Sequence, residues 1–316
     1  MAEALPAVLA SPEARVVIIG PGLMGGSLAK ALRTVAGFSG RIHAVIKSVD
    51  ERAAVQQATY TEKRPGQKSK SPKRPKLVNA CSSELGPAVD GADLVLVATP
   101  PHTIPEIFRA LAEQLPSATI VTEIASVKGD IAVLGKALFG HRYVGSHPLV
   151  GSEQQGFQAA KGSLFRGARC ILTPKDKEDD QTLAFLRRFW SALGCEVLEM
   201  SPEEHDARLA KTSHLPHLLA YAYMAFLGES DAATLASLGG GGLRDFSRIA
   251  ASDPVLWREI LQENRHYLHD DLNRFRVVLD KLDKALLDDD PLVLQALLVH
   301  GQAARARFQF PPLPKT

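Results

Sequence analysis

The sequence predicts a doubly wound α/β domain with a parallel sheet, followed by an all-α domain, and three observations support this. Short apolar runs, typical of strands buried on both faces, alternate with helical segments through the first 200 residues. From residue 201 onward the strand-like runs stop and only helical segments follow. The first apolar run also passes through a glycine-rich turn directly into a helix. We therefore expect two domains, residues 1–200 and 201–316.

Length, charge and composition exclude several classes of protein, and 316 residues have room for about two domains. The 37 basic and 35 acidic side chains give a net charge of +2, too small for general attraction to nucleic acid or a membrane surface. The longest near-continuous apolar run, residues 218–227, is about half the length of a membrane-spanning helix. The first residues have no basic region ahead of their apolar stretch, unlike a secretory signal. We expect a cytoplasmic protein that binds neither nucleic acid nor membrane.

The individual elements follow from apolar periodicity and from the turn residues between them. Strands are predicted at residues 15–20, 41–46, 93–98, 119–122, 169–172 and 195–200. Helices are predicted at residues 104–115, 128–138, 180–193, 202–227, 231–238, 254–284 and 291–308. Ser201 and Glu204 form a capping box at the start of the first helix of the second domain. The long apolar faces of these last helices predict a homodimer.

Two segments are expected to lie outside the folded core. Residues 1–14 are predicted to be disordered. Residues 62–76 contain seven basic residues and three prolines but no aliphatic side chain, so we expect a mobile surface loop. A loop that binds anions or nucleic acid is the alternative interpretation of this segment.

A dinucleotide-binding turn is predicted immediately after the first strand. Gly20, Gly22 and Gly25 follow the spacing GxGxxG, with Leu23 and Met24 between the last two glycines. Such glycines permit a tight turn and close approach of a pyrophosphate to the helix N-terminus, which is typical of a Rossmann-type fold. Thr99 and Pro100, which follow the strand at 93–98, are assigned to the same cofactor site.

The residues after the second strand indicate which cofactor is used. An acidic side chain about 20 residues beyond the glycine turn normally binds the ribose 2′-hydroxyl of NAD. Here Ile46, Lys47 and Ser48 occupy that place, and Asp50 is expected to lie beyond the strand. A cation without a carboxylate favours a 2′-phosphate, and therefore NADP. NAD remains possible if Asp50 turns back toward the site.

A candidate catalytic histidine lies in the run from Gly145 to Gly156. His147 precedes a proline and is close to glycines, so we expect a constrained turn that fixes the orientation of its ring. Histidine is a natural proton acceptor at neutral pH. Ser126, after the strand at 119–122, could form a hydrogen bond that sets the tautomer. A purely structural His-Pro turn is the alternative.

No metal site is expected. Cys81, Cys170 and Cys195 are odd in number, far apart and without CxxC spacing, which argues against a disulfide framework and structural zinc. His214 and His217 are three residues apart and share a helix face, but the motif contains no nearby third ligand.

Three motifs resemble the prephenate and arogenate dehydrogenases. They are His147–Glu153 (HPLVGSE), Ser213–His217 (SHLPH) and Gly240–Ala250 (GGGLRDFSRIA). The similarity runs in order from about Arg15 to His266. It implies a Rossmann domain, a helical dimerisation domain, and an active site in the cleft between them. The family uses NAD or NADP to convert prephenate to 4-hydroxyphenylpyruvate, or arogenate to tyrosine, by oxidative decarboxylation.

The resemblance also implies roles for individual residues. His147 accepts a hydrogen bond from the substrate hydroxyl, Ser126 orients His147 and touches the nicotinamide, and Arg248 binds a substrate carboxylate. Further substrate contacts are assigned to His214, His217, Gly241, Gly242, Asp245, Ser152 and Glu153. For Glu153 the alternative is an exposed surface position, and for the glycine run at 239–242 it is a flexible linker. His205 is expected either in the cleft or exposed on a helix.

The motifs do not determine which substrate of this family the protein uses, and two other functions are alternatives. Prephenate and arogenate cannot be separated by the motifs, and a 4-amino-4-deoxyprephenate dehydrogenase would share the fold and the decarboxylation. A non-catalytic NADP-binding sensor is the alternative from another class. The presence of Ser126, His147 and Arg248 argues against a sensor, since a sensor does not require a proton acceptor.

Overall fold

A computed structural model describes residues 3–60, 75–150, 154–175, 180–229 and 231–309 of the chain. By its internal contacts the chain divides into two units. The first contains the residues up to Asp206 together with Asp253–Ile260, and the second contains Ala207–Ser252 and the described residues from Leu261 onward. The single domain boundary near residue 200 remains a prediction.

The first unit is built around a five-stranded parallel sheet with the order β3-β2-β1-β4-β5. The strands are β1 Arg15–Ile19, β2 Arg41–Val45, β3 Ala80–Ser82, β4 Leu94–Val97 and β5 Ile120–Glu123. In the central strand β1, Ile19 pairs with Val45 on one side and Val97 on the other. The strand order reverses between β1 and β4, the place where ligands bind in open parallel sheets.

Helices cover both faces of this sheet, as expected for a doubly wound fold. They are α1 Leu23–Thr34, α2 Val49–Gln57, α3 Gly86–Val89, α4 Ile104–Ala112, α5 Gly129–Phe139 and α6 Asp180–Ala192; α7 Pro202–Leu209 follows them and includes the boundary between the two units. Successive residues of β1 point to opposite faces: Val16 and Ile18 belong to one buried apolar cluster, and Val17 and Ile19 to a second. The predicted fold class is confirmed.

A smaller sheet carries the candidate histidine. It consists of β6 Gly145–Pro148, β7 Arg169–Thr173 and β8 Glu196–Glu199. β6 is antiparallel to β7, and β7 is parallel to β8. His147 pairs with Ile171 in this sheet, so the prediction that the His-Pro dipeptide forms a turn is wrong. Pro148 is compatible with the strand because β6 is at the edge of this sheet, where a missing N–H is tolerated.

The second unit is helical in its described residues. It contains a π-helical turn Ala210–His214, then α8 Leu215–Gly228, α9 Ala232–Leu238, α10 Gly241–Ser247 and a 3₁₀ turn Arg248–Ala251. These are followed by α11 Pro254–Glu263, which belongs to the first unit up to Ile260, and then by α12 Arg265–Leu287 and α13 Pro291–Arg307 in the second. The predicted helix 202–227 is interrupted by the π turn, where Pro216 has no N–H for a regular helical bond. The predicted helix 254–284 is interrupted at Asn264.

Many large apolar side chains of the second unit are exposed. Leu286, Leu287, Leu292 and Leu298 on α12 and α13 are each more than 60% exposed. Such a surface on a helical unit is typical of an interaction face. Among the described residues, no helix is both long and apolar enough to cross a membrane.

The predicted disorder of residues 1–14 is wrong for the described part of that segment. Residues Ala7–Ala10 form a 3₁₀ turn, and the side chains of Leu5 and Leu9 join the buried cluster around α1. Leu9 is only 1% exposed. The segment is therefore anchored by two apolar side chains. The prediction for residues 62–76 falls outside the described residues, except for Pro75 and Lys76, the second of which pairs with Thr59.

Truncation of the Leu9 side chain should destabilise the first unit. We expect Leu9→Ala to lower the free energy of unfolding by about 2–4 kcal/mol, the usual cost of a buried Leu→Ala cavity. The matched control is Val8→Ala, which removes a side chain that is 47% exposed and should cost less than about 0.5 kcal/mol. Urea denaturation measures both values, and equal stabilities would show that the segment is not part of the core.

Candidate active site

Of the three glycines in the turn after β1, two are required by the fold and one is not. A Cβ on Gly20, whose φ is +79°, would lie 2.5 Å from Cγ2 of Thr99. A Cβ on Gly25 would lie 2.6 Å from the carbonyl oxygen of Gly20. A Cβ on Gly22 would meet no protein atom within 4 Å. The fold thus needs Gly20 and Gly25, whereas the space beside Gly22 is open to a ligand.

This open space lies at the N-terminus of α1, which no side chain caps. Gly22 is the N-cap residue, and Leu23 and Met24 form the first turn. The first N–H groups of a helix have no partner within it and carry a partial positive charge. The turn therefore fits a pyrophosphate group, as the sequence predicts.

The loop that follows β4 borders the same turn. The Ala98 N–H donates to the carbonyl of Ile19 at 2.8 Å, which fixes the loop to the end of β1. The Thr103 hydroxyl donates to the hydroxyl of Thr99 at 2.8 Å, and Pro100 is exposed. Thr99 and Pro100 therefore lie beside the glycine turn. This position is compatible with the cofactor-binding role predicted for both residues.

The strand β2 has no carboxylate at its end, and the charged residue that follows it is a lysine. Ile46 is buried, and Lys47 and Ser48 are exposed. The Ser48 hydroxyl accepts from the N–H of Glu51 at 3.3 Å and so caps α2. Asp50 is exposed in the first turn of α2, beyond the strand as expected.

Two more cations lie near the neighbouring strand β3. Burial raises the pKa of the Cys81 thiol, while the positive charges of Arg52 and Lys76 act in the opposite direction. Both charges therefore lie within electrostatic range of Cys81. Arg52 is in the first turn of α2 and Lys47 precedes this helix, so these two cations lie near the end of β2.

A buried ion pair holds the loop that contains Ser126. Glu123 and Lys128 are fully buried, and the Lys128 ammonium lies 2.7 and 2.8 Å from the two carboxylate oxygens. The ammonium also donates to the carbonyl of Ser146 at 2.7 Å, which joins the loop to β6. Tyr143 donates to the same carboxylate at 3.1 Å, and burial followed by the charge of Glu123 raises its pKa well above the ordinary value.

His147 is only 9% exposed on β6 and contacts a second histidine. Its Nδ1 lies 2.8 Å from Nε2 of His205, and Nδ1 of His205 lies 2.7 Å from Oδ1 of Asp206. Asp206 also accepts from the backbone N–H groups of Lys128 at 3.0 Å and Gly129 at 2.8 Å. The three side chains form a continuous hydrogen-bonded chain from β6 to the start of α5.

These hydrogen bonds were not predicted from the sequence. His205 is completely buried, so its interpretation as an exposed helix histidine is wrong. No role was predicted for Asp206. The sequence signal that could have indicated one is its position directly after a histidine near the start of a helix. The role of Ser126 as the residue that orients His147 remains a prediction; Ser126 is half-buried in the loop after β5.

The predicted substrate-binding residues His214, His217 and Arg248 lie in the second unit. His214 is buried in the π turn, and its Nδ1 accepts from the side-chain amide of Asn264 at 2.8 Å. His217, on α8, donates from Nδ1 to the carbonyl of Ser213 at 2.9 Å. Burial lowers the pKa of His217, the Ser213 carbonyl opposes this, and the nearby positive charge of Arg248 lowers it further. The structure thus brings Arg248 close to His217.

Three more of the assigned residues are on α10. Gly241, Gly242 and Asp245 are exposed on this helix, and a Cβ on either glycine would meet no atom within 4 Å. Ser152 and Glu153 lie outside the described residues. A cavity of about 310 Å³ between α8, α9 and α10 is lined in part by Gly239, Gly240 and Arg244. The lining of this cavity does not include His214, His217 or Arg248.

Comparisons with known proteins agree with this arrangement. Residues 52–199 match the family described as "Prephenate dehydrogenase, nucleotide-binding domain", and residues 201–299 match "Prephenate dehydrogenase, dimerization domain". A cyclohexadienyl dehydrogenase of Zymomonas mobilis is 34% identical over 228 residues, which cover 71% of this chain and 78% of that protein.

Solved structures give the same result over almost the whole chain. The prephenate dehydrogenase of Aquifex aeolicus, in complex with hydroxyphenyl propionate and NAD+, has a TM-score of 0.81 at 30% identity and covers 94% of this chain and 98% of its own. The Synechocystis arogenate dehydrogenase has a TM-score of 0.75 at 28% identity and covers 93% and 100%. With both domain matches and these relatives, the chain belongs to the prephenate dehydrogenase family of oxidoreductases, as its motifs predicted.

Proposed function

We propose that the protein catalyses the NAD(P)-dependent oxidative decarboxylation of prephenate to 4-hydroxyphenylpyruvate or of arogenate to tyrosine. The observation that carries the proposal is His147, a nearly buried histidine held on β6 by a buried partner. Family membership supplies the reaction class, and the glycine turn with its open space beside Gly22 fits the cofactor pyrophosphate.

His147 takes the proton of the substrate hydroxyl in this proposal. The bound NAD(P)+ supplies the hydride acceptor for the ring carbon that bears the hydroxyl. The ring carboxylate leaves as CO₂, its electron pair makes the ring aromatic, and the oxygen takes a proton back. Since aromatisation provides the driving force, the side chains mainly orient the substrate and hold one proton.

Arg248, His217 and His214 are proposed to bind the anionic end of the substrate. A guanidinium is suited to a carboxylate because its N–H groups form a planar fork. Arg248 and His217 are close to each other. The Asn264 amide donates to Nδ1 of His214, so a neutral His214 carries its ring proton on Nε2 and can donate from there. Ser126, Ser152, Glu153, Gly241, Gly242 and Asp245 keep their assigned roles as part of this proposal.

NADP is the proposed preferred cofactor. The buried Ile46 stands where a carboxylate would bind the ribose 2′-hydroxyl, and the exposed Lys47 follows it. Arg52, in the first turn of α2, adds a second positive charge near the end of β2. A 2′-phosphate would gain from these charges, whereas the acids Asp50 and Glu51 lie in the first turn of α2.

The protein is proposed to act as a homodimer through its second unit. The exposed leucines of α12 and α13 form an apolar surface, and this part of the chain matches a dimerisation domain. Burial of such side chains against a second copy would remove them from water, at about 25 cal/mol for each Å² of apolar surface.

Steady-state kinetics with prephenate and arogenate, each with NAD+ and NADP+, test the proposal directly. We expect turnover of at least one acid, with a higher kcat/KM for NADP+. Assay of 4-amino-4-deoxyprephenate in parallel tests the alternative substrate. Cofactor binding without turnover of any of the three acids would favour a non-catalytic sensor and contradict the proposal.

Replacement of His147 should remove most of the activity without loss of cofactor binding. We expect His147→Asn to lower kcat by roughly 10² to 10⁴, the scale for loss of a positioned general base. The control is His141→Asn, which changes an exposed histidine of the same unit and should leave kcat unchanged. Near-normal turnover of His147→Asn would rule out the role of proton acceptor.

Replacement of Arg248 should weaken substrate binding. We expect Arg248→Ala to raise KM for the acid by roughly 10- to 100-fold, as a hydrogen bond to a charged group contributes about 1.5–3 kcal/mol. Arg244→Ala is the matched control, because Arg244 is exposed on the adjacent helix α10. An unchanged KM for Arg248→Ala, or an equal change in both variants, would remove Arg248 from the substrate site.

Reversal of the charge at Lys47 should act on NADP+ more than on NAD+. We expect Lys47→Glu to raise KM for NADP+ by at least about 10-fold, since a carboxylate repels the 2′-phosphate, and to change KM for NAD+ by less than about 3-fold. Arg109→Glu reverses an exposed charge on α4 and controls for the overall change in charge. If the ratio of the two KM values is unchanged, Lys47 does not contact the 2′-phosphate.

A further inference from the structure

The pair His205–Asp206 has no role in the proposed chemistry, yet it is buried directly behind the proposed proton acceptor. His205 is completely buried and Asp206 is 4% exposed. The two ring nitrogens of His205 bond in opposite directions, Nε2 to His147 and Nδ1 to Asp206. Buried polar side chains are costly unless every contact is satisfied, so a chain of three such groups calls for a functional explanation.

The protonation of Asp206 follows from its partners. Burial alone would raise the pKa of this carboxyl, but the hydrogen bonds from His205 and from the backbone N–H groups of Gly129 and Lys128, with the charge of His205, lower it overall. Asp206 is therefore ionised at neutral pH. An ionised carboxylate can only accept hydrogen bonds, so Nδ1 of His205 must carry a proton.

The protonation of His205 follows in turn. Burial lowers its pKa most strongly; the hydrogen bond to Asp206 opposes this, the positive charge of Lys128 lowers the pKa, and the negative charges of Asp206 and Glu123 raise it. The pKa is lowered overall, so the ring is neutral at neutral pH with its single proton on Nδ1. Its Nε2 is then an acceptor, and Nδ1 of His147 must donate to it across the 2.8 Å contact.

We propose that His205 and Asp206 are positioning residues that keep the proton of neutral His147 on Nδ1, so that Nε2 is the nitrogen that accepts the proton of the substrate hydroxyl. This inference rests on the proposed function of His147. The same chain stabilises the cation that forms after proton transfer, because the carboxylate of Asp206 lies at its far end.

The proton balance of the step is complete without another reactant. The O–H bond of the substrate breaks as a new N–H bond forms at Nε2 of His147. The Nδ1 proton of His147 can then shift to Nε2 of His205, which places the positive charge beside the ionised Asp206. Both shifts reverse when the oxygen of the aromatic product takes its proton back. The carboxylate remains ionised throughout.

The arrangement of donors around Asp206 makes the inference testable by one substitution, Asp206→Asn. The backbone N–H groups of Gly129 and Lys128 lie 2.8 and 3.3 Å from Oδ2 and can only donate, so the side-chain carbonyl of the introduced asparagine will face them. The amide nitrogen of that asparagine then faces Nδ1 of His205 and donates to it. This moves the proton of His205 to Nε2 and the proton of His147 to its own Nε2, which can no longer accept.

Asp206→Asn should therefore lower kcat by roughly 10² to 10⁴, as expected for the wrong tautomer of a general base. His205→Leu should give a comparable loss. His205→Gln keeps an acceptor for His147 and a donor for Asp206 and should remain within about 10-fold of the wild type. Unchanged kcat in Asp206→Asn and His205→Leu, or equal losses in His205→Gln and His205→Leu, would overturn the inference.

Two further measurements distinguish this role from a merely structural one. The acidic limb of the kcat–pH profile should shift to lower pH in Asp206→Asn, because loss of the negative charge destabilises the imidazolium and lowers its apparent pKa. Lys128 and Glu123, the other charged groups that act on His205, are unchanged in this variant. An unshifted limb would contradict the inference. Melting temperature and cofactor binding should remain close to the wild-type values.

The tautomer itself can be observed without turnover. In protein labelled with ¹⁵N-histidine, the ring signals of His147 are identified by their loss in His147→Asn. We expect a protonated Nδ1 and an unprotonated Nε2 in the wild type, and the reverse in Asp206→Asn. A wild-type proton on Nε2 refutes the inference. An inactive wild-type enzyme with the expected tautomer would instead refute the proposed function, so the two failures are distinguishable.

Discussion

The geometry of the candidate site depends on one buried ion pair, between Glu123 and Lys128. Both side chains are inaccessible to solvent, and the pair is satisfied by the carbonyl of Ser146, the hydroxyl of Tyr143 and the N–H of Ala125. Removal of one partner from such a pair leaves an uncompensated buried charge and typically costs about 3–5 kcal/mol. The pair therefore fixes both the loop of Ser126 at the end of β5 and the strand that carries His147.

A second contact ties the same loop to the histidine chain. Asp206 accepts from the backbone N–H groups of Lys128 and Gly129, at the start of α5. Lys128 therefore has two functions: its ammonium pairs with Glu123, and its backbone N–H binds the Asp206 carboxylate that supports His205. If one of these groups moved, its hydrogen-bond partners would have to move with it. The orientation of His147 is therefore set by several directional hydrogen bonds rather than by apolar packing alone.

The elements predicted correctly from sequence are those whose signal is local. The apolar runs of β1 and β4, the glycine spacing of the turn and the cap at Ser201 all act within a few residues, and the cap is observed as a 3.1 Å bond from the N–H of Glu204. The strand of His147 was missed because Gly145 and Pro148 lower its local preference, and only pairing with β7 makes it a strand. His205 contacts a residue 58 positions away, which no periodicity reveals.

The same limit explains why residue type alone does not assign chemistry. Three histidines of the proposed site differ through their partners: a neutral His214 has its Nδ1 acceptor filled by Asn264, His217 donates from Nδ1 to a carbonyl, and His147 faces another imidazole. An imidazole offers one donor and one acceptor when neutral, and the partner at one nitrogen decides the function of the other. Sequence motifs place histidines near a substrate, whereas the buried partners decide which of them can take a proton and which can only give one.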